Sequence, residues 1–155
     1  MLYHLSTETN LTGYMFPSLP VREEDKWCLT CCIEDVEIPR VCFSKDIGKA
    51  FISIYGNLKI DKQKEIELFC YVPENEEGLP IIDTEELTKR RLVGDAHTTD
   101  EVWVTQHVKV KLAYRVRFYI EEVERLVYLP YDDPKQKPVY TKRPAYVRWE
   151  IVEQF

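Results

Sequence analysis

Three short stretches of this 155-residue chain hold side chains that could do chemistry. The first is His4-Leu5-Ser6, an imidazole with a hydroxyl two residues on. The second is Arg40-Val41-Cys42-Phe43-Ser44, a guanidinium, a thiol and a hydroxyl around apolar residues. The third is Asp100-Glu101-Val102-Trp103-Val104, where a carboxylate opens a short apolar strand. A glutamate at such a strand entrance is mostly solvated, yet here it is the candidate to carry the chemistry. Each residue also has a plainer reading: His4 as a hydrogen-bonded strand histidine, Ser44 as a helix cap, and Glu101 as a rim carboxylate paired to Lys109 or Arg115.

Other chemistries fare worse. Cys28-x2-Cys31-Cys32, with Cys42 and Cys70 later, lacks the second close pair or the spaced histidine pair of a structural zinc site. His97 and His107 are isolated, so no metal is expected. No motif fixes a cysteine–histidine pair for nucleophilic attack. With five glycines and no two adjacent, a phosphate-cradling glycine loop is excluded.

The elements that must position these residues follow from periodicity. From Val108 to Ile120 the even positions read Val, Val, Leu, Tyr, Val, Phe, Ile, and the odd positions are mostly basic. That alternation predicts a long strand with one buried and one wet face. Met1–Ser6, Trp27–Ile33, Arg40–Phe43, Ile66–Val72 and Ala145–Val152 read as further strands. Thr7–Lys26, Gly94–Asp100 and the proline-bearing Leu129–Pro144 read as loops. Ile47, Ala50, Phe51 and Ile54 share one helical face, which predicts a helix over Ser44–Tyr55 with Ser44 as N-cap and Gly56 closing it. Thr84–Leu92 carries early acids and late bases that suit a second helix. The fold class expected is α+β, mostly antiparallel, with one or two short helices in a single domain over residues 1–155.

Taken in order, the three stretches resemble the ADP-ribosyltransferase family, which holds NAD in a cleft between two small sheets. His4-Leu5-Ser6 is similar to the family's opening strand, Arg40–Ser44 and the following helix to its second element, and Glu101 to the glutamate that starts a later strand. The resemblance covers roughly residues 1 to 120. It implies NAD as substrate and no metal. His4 would bond the adenosine ribose, Ser6 the nicotinamide ribose, and the backbone of Leu5 the nicotinamide amide. Arg40, Cys42 and Ser44 would line the cofactor site. Glu101 would accept from the ribose 2′-hydroxyl and stabilise the oxocarbenium-like state as nicotinamide leaves. Cys42 departs from the pattern, because the family usually places a stacking tyrosine there; Tyr55 or Tyr71 would have to replace it.

Composition bounds the partners. A net charge of -6 argues against a nucleic-acid binder held by phosphate contacts and allows a protein target. No apolar run reaches membrane-spanning length and no signal peptide precedes the first strand, so a cytoplasmic protein with reduced thiols is expected. The alternative to transfer is a non-catalytic interaction or ligand-sequestering protein on the same fold, such as a phage or mobile-element factor. It would dock through Tyr128, Tyr131, Tyr140, Tyr146 and Trp149.

Overall fold

The computed structural model describes residues 1–11, 13–20, 35–55, 64–128 and 139–155, with side chains at all of these except 55 and 122–147. It is an α+β fold of two antiparallel sheets and, among the described residues, three short helices. The larger sheet contains β1 (His4–Ser6), β2 (Gly13–Met15), β4 (Glu65–Pro73), β7 (Val108–Tyr128) and β8 (Val139–Gln154). Its order is β1-β4-β7-β2, with β8 also pairing β7. The smaller sheet has the order β3-β6-β5, from Val41–Ser44, Glu101–Val104 and Ile81–Ile82.

Alternation along β4 explains how the layers form. Leu68 and Cys70 join one buried cluster, and Phe69 and Tyr71 face another, so the larger sheet is covered on both sides. On one side α1 (Ile47–Tyr55) lays Ile47, Ala50 and Phe51 onto Leu68, Val116 and Phe118. The Phe51 and Phe118 rings stack at 4.1 Å. On the other side Val41, Phe43, Val102 and Val104 of the smaller sheet meet Tyr71, Val108 and Val110. Behind the smaller sheet, α2 (Thr84–Lys89) and α3 (Ala96–Thr99) cover Trp103 with Leu87 and Ala96.

The long strand departs from the expected single buried face. Val108 and Val110 belong to the inter-sheet cluster, whereas Val116, Phe118 and Ile120 belong to the cluster under α1. The cause is a bulge. Tyr71 pairs with Leu112 and its neighbour Cys70 pairs with Tyr114, so Ala113 is an extra residue and the side chains beyond it change face. Ala113, at an odd position, is buried.

Other boundaries shift too. The helix begins at Ile47, and its capping oxygen is that of Asp46, which accepts from the Lys49 N–H at 2.9 Å. Ser44 is the last residue of β3 instead. The second helix stops at Lys89, capped by Asp83. The stretch read as a loop over 94–100 contains α3, the loop over 7–26 contains β2, and β8 begins at Val139 within the stretch read as 129–144. Gly13 starts β2 at φ +109°, a conformation that favours glycine. The strand expected over 27–33 and the helix-closing Gly56 lie outside the described residues. No helix among the described residues is long and apolar enough to cross a membrane.

Candidate functional site

The three chemistry-bearing stretches become neighbours. Tyr3 and Ser44 exchange backbone bonds, Tyr3 N–H to Ser44 O at 2.8 Å and Ser44 N–H to Tyr3 O at 2.9 Å. That isolated bridge sets β1 beside β3. On its other edge β3 pairs with β6, Ser44 opposite Glu101 and Cys42 opposite Trp103. The chain order β1, β3, β6 is thus also the spatial order.

Beyond the bridge β1 and β3 separate. A continued ladder would bring Leu5 opposite Cys42, but the His4 ring stands there, its Nδ1 2.9 Å from the Cys42 carbonyl oxygen. The bond to a carbonyl requires the proton on Nδ1, which leaves Nε2 as an acceptor. Burial lowers the imidazole pKa below its ordinary value, and the Cys42 carbonyl opposes this in part. The Phe43 ring meets His4 edge-on at 5.9 Å. Because backbone groups two residues apart in a strand share an edge, the N–H and C=O of Leu5 point the same way as those of Tyr3, toward the gap. Its side chain lies in the core under α1.

Cys42 is the junction. Its thiol lies beside both the Glu101 carboxylate and the Arg40 guanidinium. The residue as a whole is exposed at the groove, but its sulfur is packed among neighbouring groups; that desolvation first, then the Glu101 charge, push the thiol up to about 12, so it stays protonated at neutral pH. Glu101 Oε1 also accepts from the Trp103 indole at 2.6 Å. Burial raises the Glu101 pKa above the ordinary carboxylate value, against the lowering effect of the Trp103 and Cys42 bonds and of Arg40. Arg40 is buried, with its guanidinium 3.8 Å over the Trp103 ring and bonded to the Asp35 and Ile38 carbonyls at 2.8 and 3.1 Å.

The gap opens into a groove of about 540 Å³. Its walls include His4, Arg40 and Cys42 together with Tyr14, Phe16 and Ser18. That volume is within the usual range for small-molecule sites. Leu5, Ser6, Ser44 and Glu101 do not line it. Ser6 Oγ accepts from the Glu8 N–H at 3.0 Å. Ser44 Oγ donates to the Thr99 carbonyl at 2.6 Å in a buried bond, which ties β3 to the α3–β6 corner. Asp100 forms that corner in a left-handed conformation, φ 48°, and Lys49 Nζ holds its carboxylate at 2.7 Å.

Several alternatives are corrected by these contacts. Glu101 is not paired to Lys109 or Arg115: Lys109 bonds Glu74 at 2.9 Å, and Arg115 lies 3.1 Å from Glu153. Tyr71 cannot stack on a ligand, being fully buried with its hydroxyl donating to the Glu8 carbonyl at 2.8 Å. No group of three or more metal-ligating side chains occurs among the described residues. Of the tyrosines expected to dock a partner, Tyr131 lies outside the described residues, as do the side chains of Tyr128, Tyr140 and Tyr146. Trp149 is exposed. The sequence assigns no role to Trp103 within its strand, nor to Tyr14 and Phe16; the run Gly13-Tyr14-Met15-Phe16 holds a signal, an aromatic pair two apart after a glycine.

No protein-family model, curated protein or solved structure matches this chain.

Proposed function

We propose that this chain is an ADP-ribosyltransferase-like domain that holds NAD, or a related nucleotide, in the groove between β1 and β3 and transfers ADP-ribose to an acceptor, a protein first among them. One observation carries the reading: His4 and Glu101 converge on Cys42, one through its carbonyl and the other through its thiol. The residues then divide the work. His4 offers Nε2 to a ribose hydroxyl while the Cys42 carbonyl fixes its tautomer. Leu5 offers its backbone amide and carbonyl at the gap. A carboxylate has about four acceptor positions. Trp103 and Cys42 leave Glu101 acceptor capacity to spare, but Glu101 does not line the groove, so in this reading it acts through its charge, which favours the positive character that grows as nicotinamide departs. Nicotinamide release from NAD tests this directly: the wild type releases it, Glu101→Ala and His4→Ala do not. Equal background release from all three would overturn it.

A second reading has its own support. Cys42 supplies no ring for stacking, and Trp149 and Ile151 stand exposed on β8. A non-catalytic domain of phage or mobile-element type, sequestering a nucleotide or docking on a host protein, would use both. Nucleotide binding with no nicotinamide released distinguishes it.

A further inference from the structure

Tyr14 and Phe16 are 56% and 72% exposed, although both line the groove that holds His4. Large apolar rings left open on the wall of a concave site are informative in a way that scattered surface rings are not. Tyr14 is held by β2, which pairs with β7, Tyr14 opposite Lys109, and Phe16 follows directly after that strand, while Met15 between them turns inward to the inter-sheet core. Tyr14 and Phe16, two apart, therefore share the opposite face. His107 braces both, its ring 5.4 Å from Tyr14 at 67° and 6.4 Å from Phe16 at 39°. Two braced rings with most of their surface open make an apolar wall in a groove that also presents His4 and the Cys42 carbonyl edge.

We infer that Tyr14 and Phe16 form a stacking platform for the planar heteroaromatic base of the bound nucleotide. They would supply from β2 and the residue just after it the ring surface that Cys42 lacks on β3 and that buried Tyr71 cannot give. The inference rests on the groove being a nucleotide site, and it goes further by assigning the base to a named wall. Every base has a π-face, so the platform accepts adenine or nicotinamide, and mononucleotides tell which.

The experiment is a calorimetric titration of the full chain with AMP, nicotinamide mononucleotide and ribose 5-phosphate. Wild type, Phe16→Ala, Tyr14→Ala, Phe16→Trp and His4→Ala are compared. Loss of one stacked base corresponds to about a 10- to 100-fold weakening. Phe16→Ala and Tyr14→Ala should weaken the mononucleotide that carries the stacked base by that factor and leave ribose 5-phosphate unchanged. Phe16→Trp should retain affinity. Both rings are exposed, so wild-type melting of the alanine variants is expected and confirms that they fold. If both bind every mononucleotide as the wild type does while His4→Ala loses them, the platform is wrong and the nucleotide site stands. If the wild type binds neither mononucleotide, platform and site both fall.

Discussion

His4 Nδ1 lies 2.9 Å from the carbonyl oxygen of Cys42, at the point where β1 and β3 cease to pair. The imidazole takes the acceptor that a longer ladder would have used, and so holds the gap open. Its pKa is lowered, chiefly by burial. A depressed pKa contributes stability that is present above the ordinary value of 6.5 and lost as pH falls through the folded-state value. Melting temperature should therefore drop as pH is lowered below 6.5, and His4→Gln should flatten that limb. An identical pH profile in the variant would contradict the assignment.

Glu101 has the opposite sign. Its pKa is raised, so its contribution is complete below the ordinary 4.5 and declines as pH rises through the folded-state value. Glu101→Gln keeps an oxygen for Trp103 and removes the charge, and should gain stability over the wild type as pH climbs from 4.5 to neutral. Glu101→Ala should instead lose about 1–3 kcal/mol, because the buried indole N–H of Trp103 is left unpaired. Chemical denaturation of both variants across that pH range checks the two signs together.

Cys42 is exposed at the groove, yet its thiol is pushed up to about 12. At pH 8 its thiolate fraction should therefore lie well below that of an ordinary cysteine near 8.5. Timed iodoacetamide labelling with peptide mass mapping should find Cys42 slow, and Glu101→Gln should speed it by removing the adjacent charge. Rapid labelling in the wild type would contradict a desolvated sulfur, and an unchanged rate in Glu101→Gln would contradict the effect of the Glu101 charge.

Ser44 and Asp46 separate two roles. Ser44→Ala removes the buried 2.6 Å bond to the Thr99 carbonyl and should cost about 1–3 kcal/mol. Asp46→Ala removes the cap of α1 and should cost about 1 kcal/mol. Hydrogen exchange distinguishes them: Ser44→Ala loosens the α3–β6 corner together with the Asp46 N–H that its Oγ accepts from at 3.2 Å, whereas Asp46→Ala loosens the first turn of α1 and leaves that corner intact.

How much of this was written locally can be judged residue by residue. The Val108–Ile120 alternation and the Ile47, Ala50, Phe51, Ile54 face were legible because period alone encodes them. The bulge at Ala113 was not, since it arises from the partner strand: Cys70 and Tyr71 must serve cores on opposite faces. Ser44 suited a cap by type, and only the approach of Thr99 gave its hydroxyl a better acceptor. Strand β2 is three residues long and the helix α3 four, too short for any periodicity to register. In the site, His4 and Glu101 were legible as residue types at the starts of strands. Their meeting at Cys42, and Trp103 stacked under Arg40, depend on β3 lying between β1 and β6, which is a property of topology.

The central claim is that the groove beside His4 takes NAD. Thermal denaturation with rising NAD tests it most directly, since a ligand that binds only the folded state raises the melting temperature by mass action. The wild type should melt progressively higher, and a His4→Ala protein that still folds should not respond. A melting temperature unmoved by millimolar NAD, or raised equally in both proteins, would contradict the account.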